Sequence, residues 1–116
     1  MATFTKAILS GSTSGKGVQV VATATAGTLI HTAVAGASAL DEIWLYAVNT
    51  SAASVKLTIE FGGASAPADN IEVTVLPEAG LVTVVPGLLM NGALTVKAFA
   101  GTASVVTVHG FVNKIA

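Results

Sequence analysis

Cysteine and arginine are both missing from this 116-residue chain. Without cysteine, neither a disulfide framework nor a thiolate metal site can form. Without arginine, the chain has no guanidinium group, which is the usual bidentate partner of phosphate and of guanine. The net charge is only −1 at pH 7, so electrostatics does not favour binding to nucleic acid or to an anionic membrane surface. We therefore expect no nucleic-acid partner and no membrane partner.

Charge of either sign is scarce. Charged residues make up 9% of the chain and hydrophobic residues 53%, whereas an average soluble domain carries about 25% charged residues. Most of the other polar residues are Thr, Ser and Asn, which suit strands and turns. Because a soluble protein depends on surface charge to stay dispersed, this composition predicts that much of the surface is hidden against partners, in an assembly or in a membrane.

Long apolar runs are also missing. No segment approaches the roughly 18 consecutive apolar residues that a membrane-spanning helix needs. Residues 1–10 contain one lysine and no long apolar stretch, so the sequence predicts no secretory signal peptide. The apolar residues are instead divided among short segments.

Short segments of alternating polarity predict β-strands. In Val55–Phe61 the odd-numbered residues are apolar, and the even-numbered residues, which we expect on an outer face, are Lys56, Thr58 and Glu60. Ile71–Val75 and Leu94–Ala98 alternate in the same way. Each segment is predicted to be a strand of an antiparallel sheet with one buried face.

Three other segments are apolar on both faces: Glu42–Val48, Leu81–Val85 and Val105–Val112. A small two-layer domain has only one inward face per sheet. The second apolar face must therefore meet another chain, or a flanking loop or arm of this chain.

Further strands near Thr3–Leu9, Val18–Thr23 and Thr28–Val34 bring the expected number to eight or nine. Turn-forming residues separate the strands, at Gly11–Gly17, Ala35–Ala39, Asn49–Ala53, Gly62–Asn70, Pro77–Gly80, Pro86–Gly92 and Gly101–Ala103. The pattern predicts an all-β fold, an antiparallel β-sandwich that is jelly-roll-like. Residues 1–116 form a single domain in this interpretation, with residues 1–17 as an N-terminal arm and hinge loop.

No pattern of residues predicts a catalytic, cofactor-binding or metal-binding site. The glycine-rich loop contains Lys16, but a phosphate-binding loop needs a serine or threonine where Gly17 stands. His31 and His109 are the only histidines; a metal site usually needs three or four ligands, so we expect both on an outer strand face or at an interface. A hydrolase triad would place one of them beside an acid and a serine nucleophile, but we interpret the serines of the glycine-rich loop as turn residues: Ser10, Ser12 and Ser14.

The carboxylates are scattered along the chain. Asp41 and Glu42 are adjacent, so in a strand they face opposite sides and do not form a pair. Asp69 is interpreted as a turn residue that supports its own backbone. Two glutamates are expected on the outer faces of neighbouring strands, where they pair with lysine; these residues are Glu60 and Glu72, with Lys56 and Lys97 as partners.

Aromatic residues make up 5% of the chain, and most lie in apolar segments: Phe4, Trp44, Tyr46, Phe61, Phe99 and Phe111. We expect them to pack in the core or at an interface. The alternative is a platform or groove that binds sugar. Asn49-Thr50-Ser51 matches a glycosylation sequon, which we interpret as a polar hairpin turn after the strand that contains Trp44.

Read in order, four stretches resemble the small head decoration, or cement, proteins of tailed bacteriophages. The stretches are Ala7–Ser12, Gly27–Ala33, Asp41–Asn49 and Val106–Val112. The resemblance implies a β-sandwich or jelly-roll protein that forms homodimers or homotrimers. It also implies a non-enzymatic protein without cofactors that binds the outer surface of the capsid and clamps neighbouring major capsid proteins.

Two functional hypotheses therefore follow from the sequence. The first is a virion structural protein that decorates the head and stabilises it. The alternative is a carbohydrate- or receptor-binding β-sandwich module of a phage fibre or tail. The N-terminal segment Ala2–Leu9 is the expected contact with a neighbouring subunit in the first hypothesis, and Val112–Ala116 is the second candidate for that contact.

Overall fold

A computed structural model of the chain describes residues 2–116. Strands account for 52% of the chain, and the described residues contain no helix, so no helix of residues 2–116 is long and apolar enough to cross a bilayer. The nine strands are β1 (Phe4–Ile8), β2 (Val18–Gln19), β3 (Thr28–Thr32), β4 (Leu40–Asn49), β5 (Val55–Phe61), β6 (Asn70–Val75), β7 (Val82–Met90), β8 (Thr95–Ala100) and β9 (Val106–Ile115).

The strands form two antiparallel sheets. The front sheet has the order β1-β9-β4-β7, with β2 also paired to β9, and the back sheet has the order β3-β8-β5-β6. If β1 and β2 are counted as one interrupted strand, the first of eight strands pairs with the last, the second with the seventh, the third with the sixth and the fourth with the fifth. This is the strand order of a jelly roll, and the predicted antiparallel sandwich is confirmed.

The core lies between the two sheets and follows the predicted alternation. Ile43 and Leu45 of β4 and Leu57 and Ile59 of β5 are fully buried. Each such side chain contributes about 1.5–3 kcal/mol when it leaves water. The odd-numbered residues of β4 and β5 therefore fix the inward face of each sheet, and the even-numbered residues point outward.

Two outward-pointing residues of β5 are nevertheless buried, Thr58 and Glu60. Glu60, which we predicted to pair with a lysine, is only 2% exposed. Thr25 donates its hydroxyl to one carboxylate oxygen, and the backbone amide of Gly27 donates to the other at 2.7 Å. The pairing prediction is wrong for Glu60, because the segment between β2 and β3 covers this carboxylate.

The other predicted pair on the back sheet does form. The Lys56 ammonium lies 3.0 Å from a Glu72 carboxylate oxygen, and both side chains are half exposed. The two residues are diagonal neighbours, two positions apart in the register, since Lys56 is opposite Thr74 and Glu72 is opposite Thr58. This pair is confirmed as an outer-face contact between neighbouring strands.

The predicted turn at Pro86–Gly92 is wrong, because β7 continues through Pro86 to Met90. Proline cannot donate to a sheet ladder and is confined to edge strands, strand starts and bulges. β7 is the edge strand of the front sheet, and its pairing with β4 shifts register on either side of the Trp44–Leu45 pair of β4 residues. An irregular edge strand therefore accommodates a proline that would end a central strand.

The N-terminal segment lies on the sandwich of its own chain. β1 pairs with β9 from Phe4 opposite Ile115 to Ile8 opposite Phe111. Leu9 is buried in the core, and the amide of Gly11 donates to the Ile30 carbonyl of β3 at 2.9 Å. Residues 9–11 thus cross from the front sheet to the back sheet and close one side of the sandwich.

The hypothesis that Ala2–Leu9 reaches a neighbouring subunit stays a prediction. Met1, the first residue of the predicted arm and hinge loop (residues 1–17), lies outside the described residues. The glycine-rich part of the segment folds as a compact turn, in which the Ser12 hydroxyl donates to the Lys16 carbonyl at 2.6 Å. A side chain at Gly11 could not fit there, because its Cβ would lie 2.6 Å from two backbone carbonyl oxygens of β3.

Candidate functional site

The outer surface of the front sheet, which we call the front face, is the candidate site. It consists of the outward side chains of β1, β9, β4 and β7. The register aligns Ile8, Phe111 and Trp44 in one row across the strands, and Lys6, Asn113, Glu42 and Leu89 in the next. Further apolar members are Phe4, Tyr46, Val48 and Ile115. Three of the large apolar side chains, Phe4, Ile8 and Leu89, are more than half exposed.

Two aromatic rings form the centre of the front face. Trp44 and Phe111 lie opposite each other on β4 and β9, and their rings are parallel within 7° with centroids 6.1 Å apart. On the β1 side, the Lys6 ammonium lies 5.2 Å from the Phe111 ring centroid, which is a cation–π geometry. On the β7 side, a Cβ at Gly87 would lie 2.8 Å from the nearest Trp44 ring atom.

The neighbours of the Trp44 and Phe111 rings bear on what these rings can bind. Phe111 lies between Lys6 and Trp44, and Trp44 lies between Phe111 and the Gly87 backbone. Both rings thus contact neighbours along the sheet, while both residues stay partly exposed. These contacts fit packing within the sheet.

Glu42 is held within the same face. Its Oε1 accepts hydrogen bonds from Trp44 Nε1 at 2.8 Å and from Asn113 Nδ2 at 2.8 Å. These two hydrogen bonds, first that of Trp44 and then that of Asn113, hold the pKa of the Glu42 carboxyl below its usual value. The carboxylate therefore stays ionised at neutral pH and is already bonded by its own sheet.

The two histidines have different environments. His109 lies on the front face opposite Tyr46, as predicted, and its ring packs so close to Gly17 that a Cβ there would lie 2.6 Å from Cε1. His31 does not lie on an outer face. It is 1% exposed because a register shift in β3, between Leu29 and His31, turns this side chain toward the core.

Asp41 explains how a histidine can be buried there. The Nδ1 atom of His31 accepts from the Ser10 backbone amide at 2.9 Å, so the ring proton is on Nε2 and is donated to Asp41 Oδ2 at 2.8 Å. Asp41 is fully buried and also receives the Lys114 ammonium at 3.0 Å and the Val34 amide at 3.2 Å. Every polar atom of this pair thus has a partner.

The pKa of Asp41 is lowered. Burial is the largest influence and by itself raises the pKa of this carboxyl, but the hydrogen bonds from His31 and Lys114 and the positive charge of Lys114 together outweigh burial. Asp41 is therefore a buried carboxylate that stays ionised and pairs with the half-exposed ammonium of Lys114.

The histidine, the acid and Ser10 are neighbours, but they are not arranged as a hydrolase triad. In a triad, a histidine nitrogen receives the proton of the serine hydroxyl. Here the ring nitrogen accepts from the Ser10 backbone amide, and the Ser10 hydroxyl accepts from the Thr32 amide at 2.7 Å. These contacts join the N-terminal segment to β3.

The alternation of residues along β4 is sufficient to predict that Asp41 points inward, toward this buried cluster. Asp41 has the same parity as Ile43 and Leu45, so it points inward, while Glu42 points to the front face, as the opposite-face prediction requires. What the sequence pattern did not provide was Lys114, which lies opposite Asp41 on β9 and is 73 residues away.

The sequon and the predicted turn aspartate both act as turn anchors. Asn49 is fully buried, and its amide donates to the carbonyls of Ala53 at 2.8 Å and Val75 at 2.9 Å. Asp69 accepts from the Ser65 amide at 3.0 Å, which confirms its interpretation as a turn residue. The Asn49 side chain is thus engaged in holding the turn after β4.

Comparison with known proteins identifies no relative: no family model, no curated protein and no solved structure matches this chain. Within residues 2–116 there is no detectable pocket and no group of three metal-ligating side chains. The arrangement thus defines a class, an all-β jelly-roll sandwich, whose most distinctive surface is a flat apolar sheet face.

Proposed function

We propose that this chain is a bacteriophage virion structural protein that decorates the outer surface of the assembled head. In this role it stabilises the head by clamping neighbouring major capsid proteins, without catalysis and without a cofactor. The observation that supports the proposal best is the front face, which is flat and apolar and has both of its charged side chains already engaged. Such a surface suits a broad contact with another protein.

The thermodynamics of decoration fits a small rigid sandwich. A protein that binds the assembled shell but not the free subunit stabilises the shell by mass action. Many copies with modest individual affinity are then sufficient. The exposed Phe4 and Ile8 place apolar side chains on β1, which supports the N-terminal segment as a contact with a capsid subunit.

Co-sedimentation with heads that lack the protein tests the proposal. Heads of the virus that encodes this chain are mixed with purified protein, and bound protein and the temperature of head disruption are measured. The proposal expects saturable binding to assembled heads, no binding to free capsid subunits, and a higher disruption temperature. Equal binding to free subunits, or no binding to heads, would contradict it.

Deletion of residues 2–8 separates the arm from the sandwich. The deletion stops before Leu9, because Leu9 is part of the core. We expect a folded sandwich, monitored by circular dichroism, that no longer binds heads. Unchanged head binding would contradict a role for the arm while leaving decoration by another surface intact.

A carbohydrate- or receptor-binding module of a phage fibre or tail is the second candidate. One observation favours it: Trp44 and Tyr46 are partly exposed on a flat sheet face. The packing of both rings against neighbouring side chains and the lack of a pocket within residues 2–116 make it the weaker candidate. Saturable glycan binding that is lost in Tyr46→Ala, together with absence of head binding, would favour it over decoration.

A further inference from the structure

The front face differs from the back of the sandwich in its charge. Among the described residues it carries one lysine and one glutamate, Lys6 and Glu42, and its other polar members are uncharged. Lys6 lies over the Phe111 ring, and Glu42 accepts hydrogen bonds from two side chains of the same face. Glu42 is therefore already bonded within the face, whereas the Lys6 ammonium contacts only a ring and needs an acceptor from whatever covers it.

The size of the face also matches a specific interface. β4 and β9 are both ten residues long. β1 has five residues and β7 nine. Strands rise about 3.3 Å per residue and lie about 4.8 Å apart, so the four strands together present roughly 540 Å². A stable interface buries about 800 Å² per partner, which a corrugated face of this extent approaches.

The balance of charge on the front face indicates which kind of partner covers it. The one positive and one negative side chain cancel, so the front face offers no net charge to attract a charged partner. An identical face meets it without net repulsion, and two-fold symmetry lets each residue contact its counterparts on the other copy. Two flat antiparallel sheets pack face to face at about 10 Å.

We propose that the front face is the surface through which two copies of this chain associate, sheet against sheet, around a two-fold axis. The inference rests on the proposed function only in that decoration proteins are expected to self-associate. It assigns the front face, including Phe4 and Ile8 of β1, to self-association in place of the head contact considered above, and it leaves the head contact to another surface. It predicts a dimer in the absence of any head.

The experiment is the mass of the full chain by light scattering after size exclusion, in detergent-free buffer over a range of concentrations. The expected mass is twice the chain mass of 11.4 kDa. Two variants place a carboxylate on the front face, Ile8→Glu and Leu89→Glu, at side chains that are about half exposed in the single chain. The matched control is Leu29→Glu, at a similarly exposed leucine on the outer face of the back sheet.

Burying an unpaired charge at an interface costs about 2–5 kcal/mol, which corresponds to a dissociation constant that is about 30- to 4,000-fold larger. We therefore expect both front-face variants to be monomers at concentrations where the wild type and Leu29→Glu are dimers. Circular dichroism and thermal unfolding identify any variant that fails to fold, and the second front-face variant then stands in for it.

Three results would overturn the proposal. These are a monomeric wild type, a dimer that both folded front-face variants retain, and a dimer that only Leu29→Glu disrupts. A monomeric wild type that binds heads through the front face would reassign the face to the capsid protein and leave decoration standing. A dimer that fails to bind heads would support this inference and contradict decoration.

Discussion

The outer faces of the two sheets present different kinds of side chain to the solvent. The back sheet exposes a lysine–glutamate pair, Lys56 and Glu72, and the segment before β3 covers its one buried carboxylate, Glu60. The front sheet exposes large apolar side chains instead, and its two charged groups are engaged by residues of the same face. The outer face of the back sheet therefore presents charged side chains to water, whereas the front face retains exposed apolar side chains.

The difference shows where low charge matters in this chain. A composition with 9% charged residues does not deplete charge evenly over the surface. Among the outward side chains of β4 and β9, only Glu42 is charged, whereas Asp41 and Lys114 of the same strands pair on the inward side. The comparison therefore points to the front face as the proposed interaction surface, which the overall hydropathy could not do.

The largest expected effect is inside the front sheet. Asp41→Ala removes the buried carboxylate and leaves the His31 Nε2–H and the Val34 amide without their acceptor, which costs about 1–3 kcal/mol for each group. It also leaves the half-exposed Lys114 ammonium without its counter-ion. Urea unfolding followed by circular dichroism measures the loss. Asp69→Ala is the control, because Asp69 accepts one loop hydrogen bond at the surface. Equal losses for the two variants would contradict the account of the buried cluster.

The same carboxylate predicts a pH dependence. The pKa of Asp41 is lowered in the fold from an ordinary value of 3.8, so the unfolded chain binds the proton more readily than the folded one. The stabilisation is fully present above that ordinary value and is lost as pH falls through the lowered folded pKa. The stability of wild type should therefore decline below about pH 4 more steeply than that of Asp41→Ala. Parallel declines would contradict this assignment.

The next effect tests the aromatic row of the front face. Gly87 has a φ of 82°, and a Cβ there would meet the Trp44 ring at 2.8 Å. Gly87→Ala combines left-handed strain of about 1–2 kcal/mol with overpacking of about 1–3 kcal/mol. Gly80→Ala is the matched control, since its φ is 74° and nothing lies within 4 Å of its Cβ. The difference in unfolding free energy between the variants measures the ring packing, and no difference would contradict it.

A smaller effect is expected on the back face. Glu60→Ala leaves the Thr25 hydroxyl and the Gly27 amide without an acceptor, which costs about 1–3 kcal/mol. Proteolysis of the segment 20–27 should also become faster, because the buried carboxylate holds it to β5. Unchanged unfolding and unchanged cleavage would show that Glu60 does not anchor this segment.

The smallest effect belongs to the exposed ion pair. Glu72→Ala removes the partner of Lys56, and surface pairs contribute about 0.2–1 kcal/mol. The loss in thermal stability should shrink further at high salt, since exposed charges are screened. If Glu72→Ala lost as much stability as Glu60→Ala, and the loss did not depend on salt, the exposed Glu72 carboxylate would not differ in its effect from the buried Glu60 carboxylate. That result would contradict the comparison.

Alternation along the chain predicted most of the architecture, because period-two burial requires only local information. β5 was placed at its observed bounds and its inward face was assigned correctly, whereas the pattern of β4, apolar on both faces, did not indicate which face is inward. Pro86 was misread as a turn because the edge position that tolerates it depends on the pairing of distant strands. Glu60 and His31 were misplaced for a similar reason: their burial comes from a loop and a bulge, which alternation does not encode.

The candidate site was only partly readable from the sequence. The two-faced strands predicted that an apolar surface would need a partner, and the structure shows that the front sheet carries it. The contacts that run from Lys6 through the two aromatic rings to Gly87 involve four strands, so they could not be predicted without the register. The placement of the two charged residues on one face likewise depends on the pairing of β1, β9 and β4.

Lysine labelling read by mass spectrometry tests the central claim most directly. Lys6 lies on the front face and Lys56 on the back face, and both are exposed in the single chain. Acetylation is compared between dilute protein and concentrated, associated protein. The account predicts that association protects Lys6 while Lys56 reacts at an unchanged rate. Protection of Lys56 with an unchanged Lys6 would contradict the front face as the interaction surface.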